Sequence, residues 1–378
     1  MITISLCMIV KNEENVLRRC MDSVHDLVDE IIIVDTGSSD RTKEIAAEYT
    51  SRIFDLEWTD DFAAARNYAF EQAAMQYIMW LDADDVLHEQ DRIKFAQLKQ
   101  TLSWEPDAMM CNYHLAFDEH GNAAATSRRY RLVKRSQGYR WRNPVHEYLD
   151  ITGGKVLQTD IAVSHYREGD HTARNISILQ KWMENGGKLE GRMLFFYANE
   201  LLDQRQYREA AECYEDYFRE SVAYREDRIA ACSKLAECYH HLGQKEKKLD
   251  RLIKSFHYDV PHADICCSIA GCFEEREEWA LAIYWYERAL ESRLPEGYMG
   301  VVNLACFTWL PHFQLCLCYA RLGQLQQALE HNGHALSYLP EDANLLENKR
   351  RLEQALGIGS VIESLEGSGN GHCDEANH

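Results

Sequence analysis

The chain has 378 residues, and its 41 Lys and Arg against 61 Asp and Glu give a formal net charge of −20. A field of this sign repels phosphate backbones and anionic bilayers, so we expect no nucleic-acid partner and no polybasic contact with a membrane. The length allows two or three domains of about 150 residues, and neither an export signal nor an apolar run long enough to span a bilayer is visible. We therefore expect a cytoplasmic protein with no membrane span.

The first part of the chain alternates short apolar runs with amphipathic segments. Strand, helix and strand following one another in this way predict a parallel sheet with crossover helices. Sheets of this kind bind ligands at the carboxyl ends of their strands. The predicted strands cover residues 3–10, 30–35, 52–55 and 77–81, and the predicted helices cover residues 14–23, 41–49 and 62–75.

The pattern changes near residue 108, where longer alternating segments follow one another with only turns between them. This spacing favours antiparallel ribbon strands added to the parallel sheet. The predicted ribbon strands cover residues 109–117, 126–133, 139–149 and 161–165.

Beyond residue 169 the strand signals give way to helical hairpins with recurring aromatic, Leu-Gly and Ala positions. A period of about 34 residues with these positions is typical of tetratricopeptide repeats, which stack helix pairs into a solenoid. We therefore predict an α/β domain followed by an all-α region. The predicted division is an α/β domain at 1–170, a linking helix at 171–190, repeats at 191–356 and a disordered tail without apolar period at 357–378.

Thirteen cysteines are present, and most of them fall on apolar helical positions of the second half. In a chain without an export signal, this distribution favours reduced, buried thiols. A zinc site among the cysteines of 266–272 and 316–318 is the alternative, although their spacing does not match a zinc finger or ribbon.

Two carboxylates, Asp82 and Asp84, directly follow the predicted strand 77–81. Side chains two residues apart lie on the same side of an extended chain, and a carboxylate pair is suited to Mg²⁺ or Mn²⁺. Solvated loop acids are common, so the spacing alone is a weak signal. The same sheet edge collects further polar residues, namely Asn12, Glu13, Asp35, Arg66 and Asn67.

Together these residues resemble the family-two glycosyltransferases, whose GT-A domain is a Rossmann-like mixed sheet that binds a nucleotide-diphospho-sugar. The likeness extends over residues 1 to about 170, and four motifs in the same order make chance an inadequate explanation. The segments that carry it are IVKNE at 9–13, IVDTGSSDRT at 33–42, FAAARN at 62–67 and WLDAD at 80–84.

The resemblance implies roles for individual positions. By analogy, Asp35 binds the nucleotide base, Asp82 lies near the ribose and the metal, and Asp84 binds a Mn²⁺ or Mg²⁺ ion on the diphosphate. Arg66 belongs near the nucleotide by the same likeness, and a helix-surface salt bridge is its alternative. We expect Asn12, Glu13 and Asn67 to line the same nucleotide-sugar site, with a UDP-sugar as the expected donor.

The order of domains is similar to the subgroup that fuses such a domain to tetratricopeptide repeats. That subgroup includes the peptide S- and O-glycosyltransferases that modify bacteriocins. The shared segments are RRYRL at 128–132, WRNPVHE at 141–147 and IAVSH at 161–165.

Three assignments follow from these segments. Glu147 is the candidate general base for inverting transfer, and the adjacent His146 is the alternative. His165 is the expected additional metal ligand, since a mixed Asp and His shell suits Mn²⁺. Arg131, and less strongly Arg128, is expected to reach the diphosphate, because a guanidinium matches phosphate oxygens bidentately.

We therefore predict a metal-dependent, inverting hexosyltransferase of family two. It would move a hexose or N-acetylhexosamine to a Ser, Thr or Cys side chain of a peptide or protein bound by the repeats. Self-association into a homodimer is the alternative role of the repeats. The alternative functions are transfer to a cell-surface glycan or lipid-linked saccharide, and a non-catalytic repeat scaffold with a degenerate transferase domain.

Overall fold

The computed structural model describes residues 2–102, 104–167, 172–220, 224–294 and 297–358. The chain divides into two compact units, the first made of residues 1–244 with 295–302 and the second of residues 245–294 with 303–378. This boundary differs from the predicted domain limits, since four helices beyond residue 170 group with the sheet. From residue 359 onward the predicted tail lies outside the described residues.

The first unit is built on a mixed sheet whose strands run in the order β3-β2-β1-β4-β7-β6-β10-β5. Strands β1, β2, β3 and β4 are mutually parallel, and β7 joins β4 in the antiparallel sense. In the register, Val10 at the end of β1 is level with Asp35 at the end of β2. The strands are β1 Ile4–Val10, β2 Glu30–Asp35, β3 Ile53–Asp55, β4 Tyr77–Trp80, β5 Asp85–Val86, β6 Ala108–Phe117, β7 Ala123–Lys134, β8 Arg140–Arg142, β9 Tyr148–Asp150 and β10 Val156–His165.

Alternate side chains of these strands form two separate hydrophobic cores, one on each face of the sheet. Helices α1 and α4 cover the face that contains Leu6 and Met79, and α3 covers the face that contains Val34 and Trp80. The Asp61 carboxylate caps the start of α3 by accepting from the Ala64 N–H at 2.8 Å. The helices are α1 Leu17–Asp22, α2 Thr42–Ala46, α3 Phe62–Glu71 and α4 Glu89–Thr101.

Two of the ribbon predictions are wrong. Strand β10 pairs with β6 in the parallel sense, because the chain passes through the β8–β9 hairpin before it returns to the sheet. The predicted strand 139–149 is interrupted: β8 and β9 form a separate two-stranded sheet, and the residues between them form a turn that contains Asn143 and His146 at positive φ. This turn approaches the site described below.

Helices α5 Thr172–Glu184, α6 Arg192–Asp203, α7 Tyr207–Arg219 and α8 Arg225–His241 complete the first unit. Antiparallel packing of α6 with α7 and of α7 with α8 buries Phe195, Tyr214 and Tyr217. Tyr214 belongs to the repeating pattern, and the packing of consecutive helices confirms the predicted helical hairpins.

The second unit is helical and repeats the same packing of consecutive helices. Tyr286 and Leu315 occupy its core, together with several cysteine thiols. Its elements are α9 Lys245–Lys254, α10 Ala263–Glu274, α11 Trp279–Glu291, α12 Trp309–Arg321, α13 Leu325–Tyr338 and α14 Ala343–Leu356, and the short strand β11 Val302–Asn303 lies at the boundary of the units.

The cysteines in the described part of the chain are unpaired, and all of them except Cys213 are buried. Burial raises the pKa of the Cys266 thiol to about 12, which is the behaviour of a small apolar core residue. None of the described helices combines the length and the apolar character needed to cross a membrane.

Candidate active site

Three acidic side chains and one histidine meet beyond the end of β4. Asp82, Asp84 and Asp85 follow this strand directly, and the short pairing of β5 with β10 aligns Asp85 with His165. His165 Nδ1 lies 3.2 Å from Asp84 Oδ1 and 3.1 Å from Asp85 Oδ1. One ligand atom from each of Asp82, Asp85 and His165 also lies within 4.8 Å of the others. We call these four side chains the acidic cluster.

Neighbouring charges shift the pKa values of two members of the acidic cluster. Burial lowers the pKa of His165, but hydrogen bonds to Asp84 and Asp85 outweigh burial and raise that pKa to about 10. Burial raises the pKa of Asp82, whereas the guanidinium groups of Arg66 and Arg131 outweigh it and shift that pKa well below its usual range. The carboxylates of the cluster thus face one imidazolium in the metal-free chain. A hard divalent cation that replaced the imidazolium proton would meet carboxylate oxygens and a neutral imidazole, a mixed ligand set that suits Mn²⁺.

Arg131 lies beneath the acidic cluster rather than beside a ligand. Its side chain is fully buried, and its Nη1 lies 3.0 Å from Asp85 Oδ2, which is also fully buried. The guanidinium stacks between the rings of Trp80 and Tyr113, at 3.8 and 4.2 Å from their centroids. This burial argues against the direct contact with a diphosphate that we predict for Arg131. Arg128 contacts Asn112, Gln158 and Thr159 within the sheet and likewise does not reach the cluster.

Arg66 connects the acidic cluster with the β8–β9 turn. Its Nη2 donates to Asp82 Oδ1 at 2.6 Å, and its Nε donates to Glu147 Oε1 at 2.7 Å. The guanidinium carbon lies 4.9 Å from the ring centroids of both Trp80 and Trp141. With only 8% of its side chain exposed, Arg66 is a buried bridge and not the helix-surface salt bridge considered above.

Asp35 ends β2 inside a tight turn. Its Oδ1 accepts from the N–H groups of Gly37 and Ser38, both at 2.9 Å, and Gly37 has a φ of 100° that strongly favours glycine. The second oxygen, Oδ2, is buried and has no hydrogen-bond partner among the described residues. A buried carboxylate oxygen without a donor is costly in a folded chain, and it is the natural acceptor for an N–H group of a ligand.

The neighbouring predicted residues Asn12 and Glu13 mainly fix this turn. Asn12 has a φ of 55°, and its Oδ1 accepts from the N–H of Ser39 at 2.8 Å. The N–H of Glu13 donates to Thr42 Oγ1 at 2.7 Å, and its carbonyl accepts from the first residues of α1. The segment that contains Asp35 and the start of α2 is therefore tied to the residues that follow β1.

Asn67 has a structural contact in place of the predicted ligand contact. Its Nδ2 donates to the Trp141 carbonyl at 3.0 Å, and its Oδ1 accepts from the Trp141 N–H at 2.9 Å. Both ends of the amide are thus used to attach β8 to α3. This attachment places Trp141 against Trp80, with ring centroids 4.8 Å apart.

The two candidate bases point to different partners. Glu147 lies 13% exposed beside Arg66, at the edge of the acidic cluster. His146 has a φ of 52°, stacks on Phe196 of α6 and contacts Glu200 Oε1 through Nε2 at 2.7 Å. The geometry brings Glu147, and not His146, to the predicted site.

Two residues of the site, Asp85 and Tyr113, are not predicted from the sequence. Asp85 was not included among the predicted ligands, although it directly follows Asp84, because its burial depends on the return of β10 beside β5. Tyr113 donates to Asp85 Oδ1 at 3.0 Å, and no local motif marks it. The run of three acids within four residues was the available signal for Asp85.

Acidic residues lie at the carboxyl ends of the parallel strands of this mixed sheet, which is the edge at which α/β domains bind ligands. Residues 5–158 match the model of Glycosyl transferase family 2, so this part of the chain is a family-two glycosyltransferase domain. The fold class predicted from the sequence, a family-two domain followed by tetratricopeptide-like helices, is confirmed.

The chain is similar to curated proteins over part of its length. Over 150 residues it is 39% identical to a TPR repeat-containing protein of Synechococcus elongatus, and this match covers 40% of the present chain and 36% of the relative. It is 27% identical over 215 residues to the SPbeta prophage-derived glycosyltransferase SunS of Bacillus subtilis, covering 53% of this chain and 49% of SunS. The chain thus spans between about a third and a half of the length of these relatives.

Among solved structures, the chain is similar to the C-terminal part of a TPR repeat-containing protein from Cytophaga hutchinsonii. The identity is 16%, the TM-score is 0.41, and the match covers 50% of this chain and 68% of that one.

Proposed function

We propose that the chain is a metal-dependent, inverting glycosyltransferase that transfers a sugar from a nucleotide-sugar, with UDP as the expected nucleotide, to a side chain of a peptide or protein. The observation that carries this proposal is the bridge from Asp82 through Arg66 to Glu147. It joins the acids expected to bind the donor to a carboxylate able to receive a proton.

The donor half of the proposal depends on the acidic cluster and on Asp35. Asp82, Asp84 and His165 would bind Mn²⁺ or Mg²⁺. The contact between Asp85 Oδ1 and His165 Nδ1 fixes the orientation of the imidazole ring. The ion would supply positive charge to the diphosphate as it departs. The unpartnered Oδ2 of Asp35 is the proposed acceptor for a base N–H.

The transfer itself needs a base on the acceptor side. Glu147 takes the proton from the acceptor hydroxyl or thiol as that atom attacks the anomeric carbon. The bond from the anomeric carbon to the diphosphate oxygen breaks, and its electron pair leaves with the nucleoside diphosphate. Arg66 positions Glu147 by its hydrogen bond to Oε1, while Trp80 and Trp141 exclude water around the guanidinium.

The acceptor half of the proposal depends on the helical repeats. Stacked helix pairs present extended surfaces suited to peptide segments. In the first unit the β8–β9 turn packs on these helices, since Val145 is buried with Leu179 of α5 and Met193 of α6. A peptide bound along the helices of this unit would therefore lie near the turn that presents Glu147.

Nucleotide release tests the donor half. The full chain is incubated with Mn²⁺ and a panel of nucleotide-sugars, and free nucleoside diphosphate is measured. We expect release from at least one UDP-sugar, loss of release on Asp84→Asn, and normal release on Asp216→Asn, whose carboxylate forms an exposed surface pair on α7. Absence of release by the wild type, or undiminished release by Asp84→Asn, would instead favour the scaffold alternative.

A further inference from the structure

Three histidines converge on the helical hairpin α12–α13 of the second unit. His312 lies in the first turn of α12, and His331 and His334 lie three residues apart on α13, hence on one face of that helix. The ring of His312 lies 5.3 Å from that of His331 and 4.9 Å from that of His334, centroid to centroid. We call these side chains the histidine cluster.

The closest contact in this cluster is between two ring nitrogens. Nδ1 of His312 lies 3.0 Å from Nδ1 of His331. At this distance two lone pairs would repel each other, and so would two N–H groups. The contact therefore requires one shared proton, or one cation, between the two nitrogens. Two nitrogens bound to one tetrahedral Zn²⁺ at about 2.0–2.1 Å are themselves about 3.3–3.4 Å apart, so the two rings need to separate by only about 0.3–0.4 Å to admit the ion.

The surroundings of His312 and His331 favour the neutral imidazole, which is the form that can bind a metal ion. Burial, followed by the neighbouring rings of His331 and His334, lowers the pKa of His312 to about 4, and burial also lowers the pKa of His331. His331 is further oriented by Tyr319, which stacks on it at 5.4 Å with an interplanar angle of 9°. Two neutral imidazoles are therefore presented side by side at neutral pH.

We propose that His312, His331 and His334 form a binding site for a late first-row divalent cation, with Zn²⁺ as its representative. His312 and His331 supply the two preplaced nitrogens. His334 is exposed and stacks on His312, and a turn of its ring would bring a nitrogen to the ion as the third ligand. Three imidazoles leave a fourth position for water, and this all-nitrogen set prefers Zn²⁺, Ni²⁺ or Cu²⁺ to Mg²⁺. The site is independent of the proposed glycosyl transfer.

Zinc titration of the full chain tests this site. Zn²⁺ is added against a chromogenic competing chelator, in excess Mg²⁺ so that the carboxylates of the acidic cluster are occupied. The variant His331→Phe retains an aromatic ring against Tyr319 but removes the ligand. His120→Asn, at an exposed turn of the first unit, is the matched control.

We expect His331→Phe to lose one equivalent of bound Zn²⁺ or to bind it at least tenfold more weakly, and His120→Asn to match the wild type. A smaller change in His331→Phe would overturn the proposal. If that variant does not fold, His334→Asn at an exposed position gives the same test. Co²⁺ provides a second readout: tetrahedral d–d absorption bands are expected in the wild type and absent in the variant, and equal spectra would also overturn the proposal.

Discussion

Histidine occupies two opposite electrostatic environments in this chain. His165, in the first unit, faces the carboxylates of Asp84 and Asp85, whose hydrogen bonds outweigh the effect of burial and raise its pKa to about 10. His312, in the second unit, faces two other histidines, and burial together with these rings lowers its pKa to about 4. The same side chain is thus kept protonated at one site and neutral at the other.

The difference bears on which cation each proposed site would bind. The acidic cluster offers carboxylate oxygens and negative charge, so the proposed ion there would be Mg²⁺ or Mn²⁺. The histidine cluster is uncharged and all-nitrogen, which suits Zn²⁺. Strand ends that meet at one sheet edge build the first site, and helical periodicity builds the second.

The largest expected effect concerns the charge beneath the acidic cluster. Arg131→Met removes the guanidinium that faces Asp85 Oδ2, and the fully buried carboxylate then keeps only its contacts with Tyr113, His165 and the Asp82 N–H. We expect the free energy of unfolding to fall by about 3–5 kcal/mol, measured by urea denaturation. Arg140→Met, which removes an exposed pair with Glu71, should cost less than about 1 kcal/mol. Equal losses in the two variants would contradict the importance of the buried pair.

The next prediction separates the two clusters by function. Asp84→Asn should lower Mn²⁺-dependent nucleotide release by about 10²–10³, because charge at the leaving diphosphate is no longer balanced. It should leave the zinc affinity of the histidine cluster unchanged. His331→Phe should show the reverse pattern, with normal release and weakened zinc binding. A variant that affects both readouts would show that the clusters do not act independently.

A third histidine, His146, allows a smaller test. Glu147→Gln should lower kcat by about a hundredfold through loss of the base. His146→Asn should lower it less than about tenfold, because His146 contacts Glu200 of α6 and not the acidic cluster. Steady-state transfer to a peptide acceptor, once one is identified, measures both. The opposite ranking of the two variants would assign the base to His146.

The smallest effect is the pH dependence of the metal-free chain. Since the folded pKa of His165 is raised, the stability it contributes is complete below the unfolded pKa near 6.5 and is lost as the pH rises toward about 10. For His312 the folded pKa is lowered, so its contribution is present above about 6.5 and is lost as the pH falls toward about 4. Imidazole NMR titration in the presence of a chelator should find the two rings titrating on opposite sides of neutrality. Similar titration near 6.5 would contradict the comparison.

Much of the first unit could be predicted from its sequence because its signals are local. The apolar run at 30–35 ends at Asp35, as β2 does, and the helix predicted from Phe62 begins there. Asp82 and Asp84 directly follow β4 as predicted, and His165 meets them as the family resemblance implies.

The remaining features depend on contacts between distant segments. The parallel pairing of β10 with β6 places His165 beside Asp85, and no residue near His165 specifies that pairing. The burial of Arg131 follows from Trp80 and Tyr113 on neighbouring strands. The histidine cluster was not predicted either, since His312 is separated in sequence from His331 and meets it only when α12 packs on α13.

For the proposed nucleotide-sugar donor, the unpartnered Oδ2 of Asp35 would influence which nucleobase is bound. Its desolvation cost is already met by the folded chain, so a ligand N–H that reaches it gains a charge-assisted hydrogen bond without first stripping water from the carboxylate. A carboxylate oxygen can form a hydrogen bond only with a base that presents an N–H group to it. In the proposed donor complex it would therefore favour bases such as uracil, which carry an imide N–H, over ring nitrogens that carry only a lone pair.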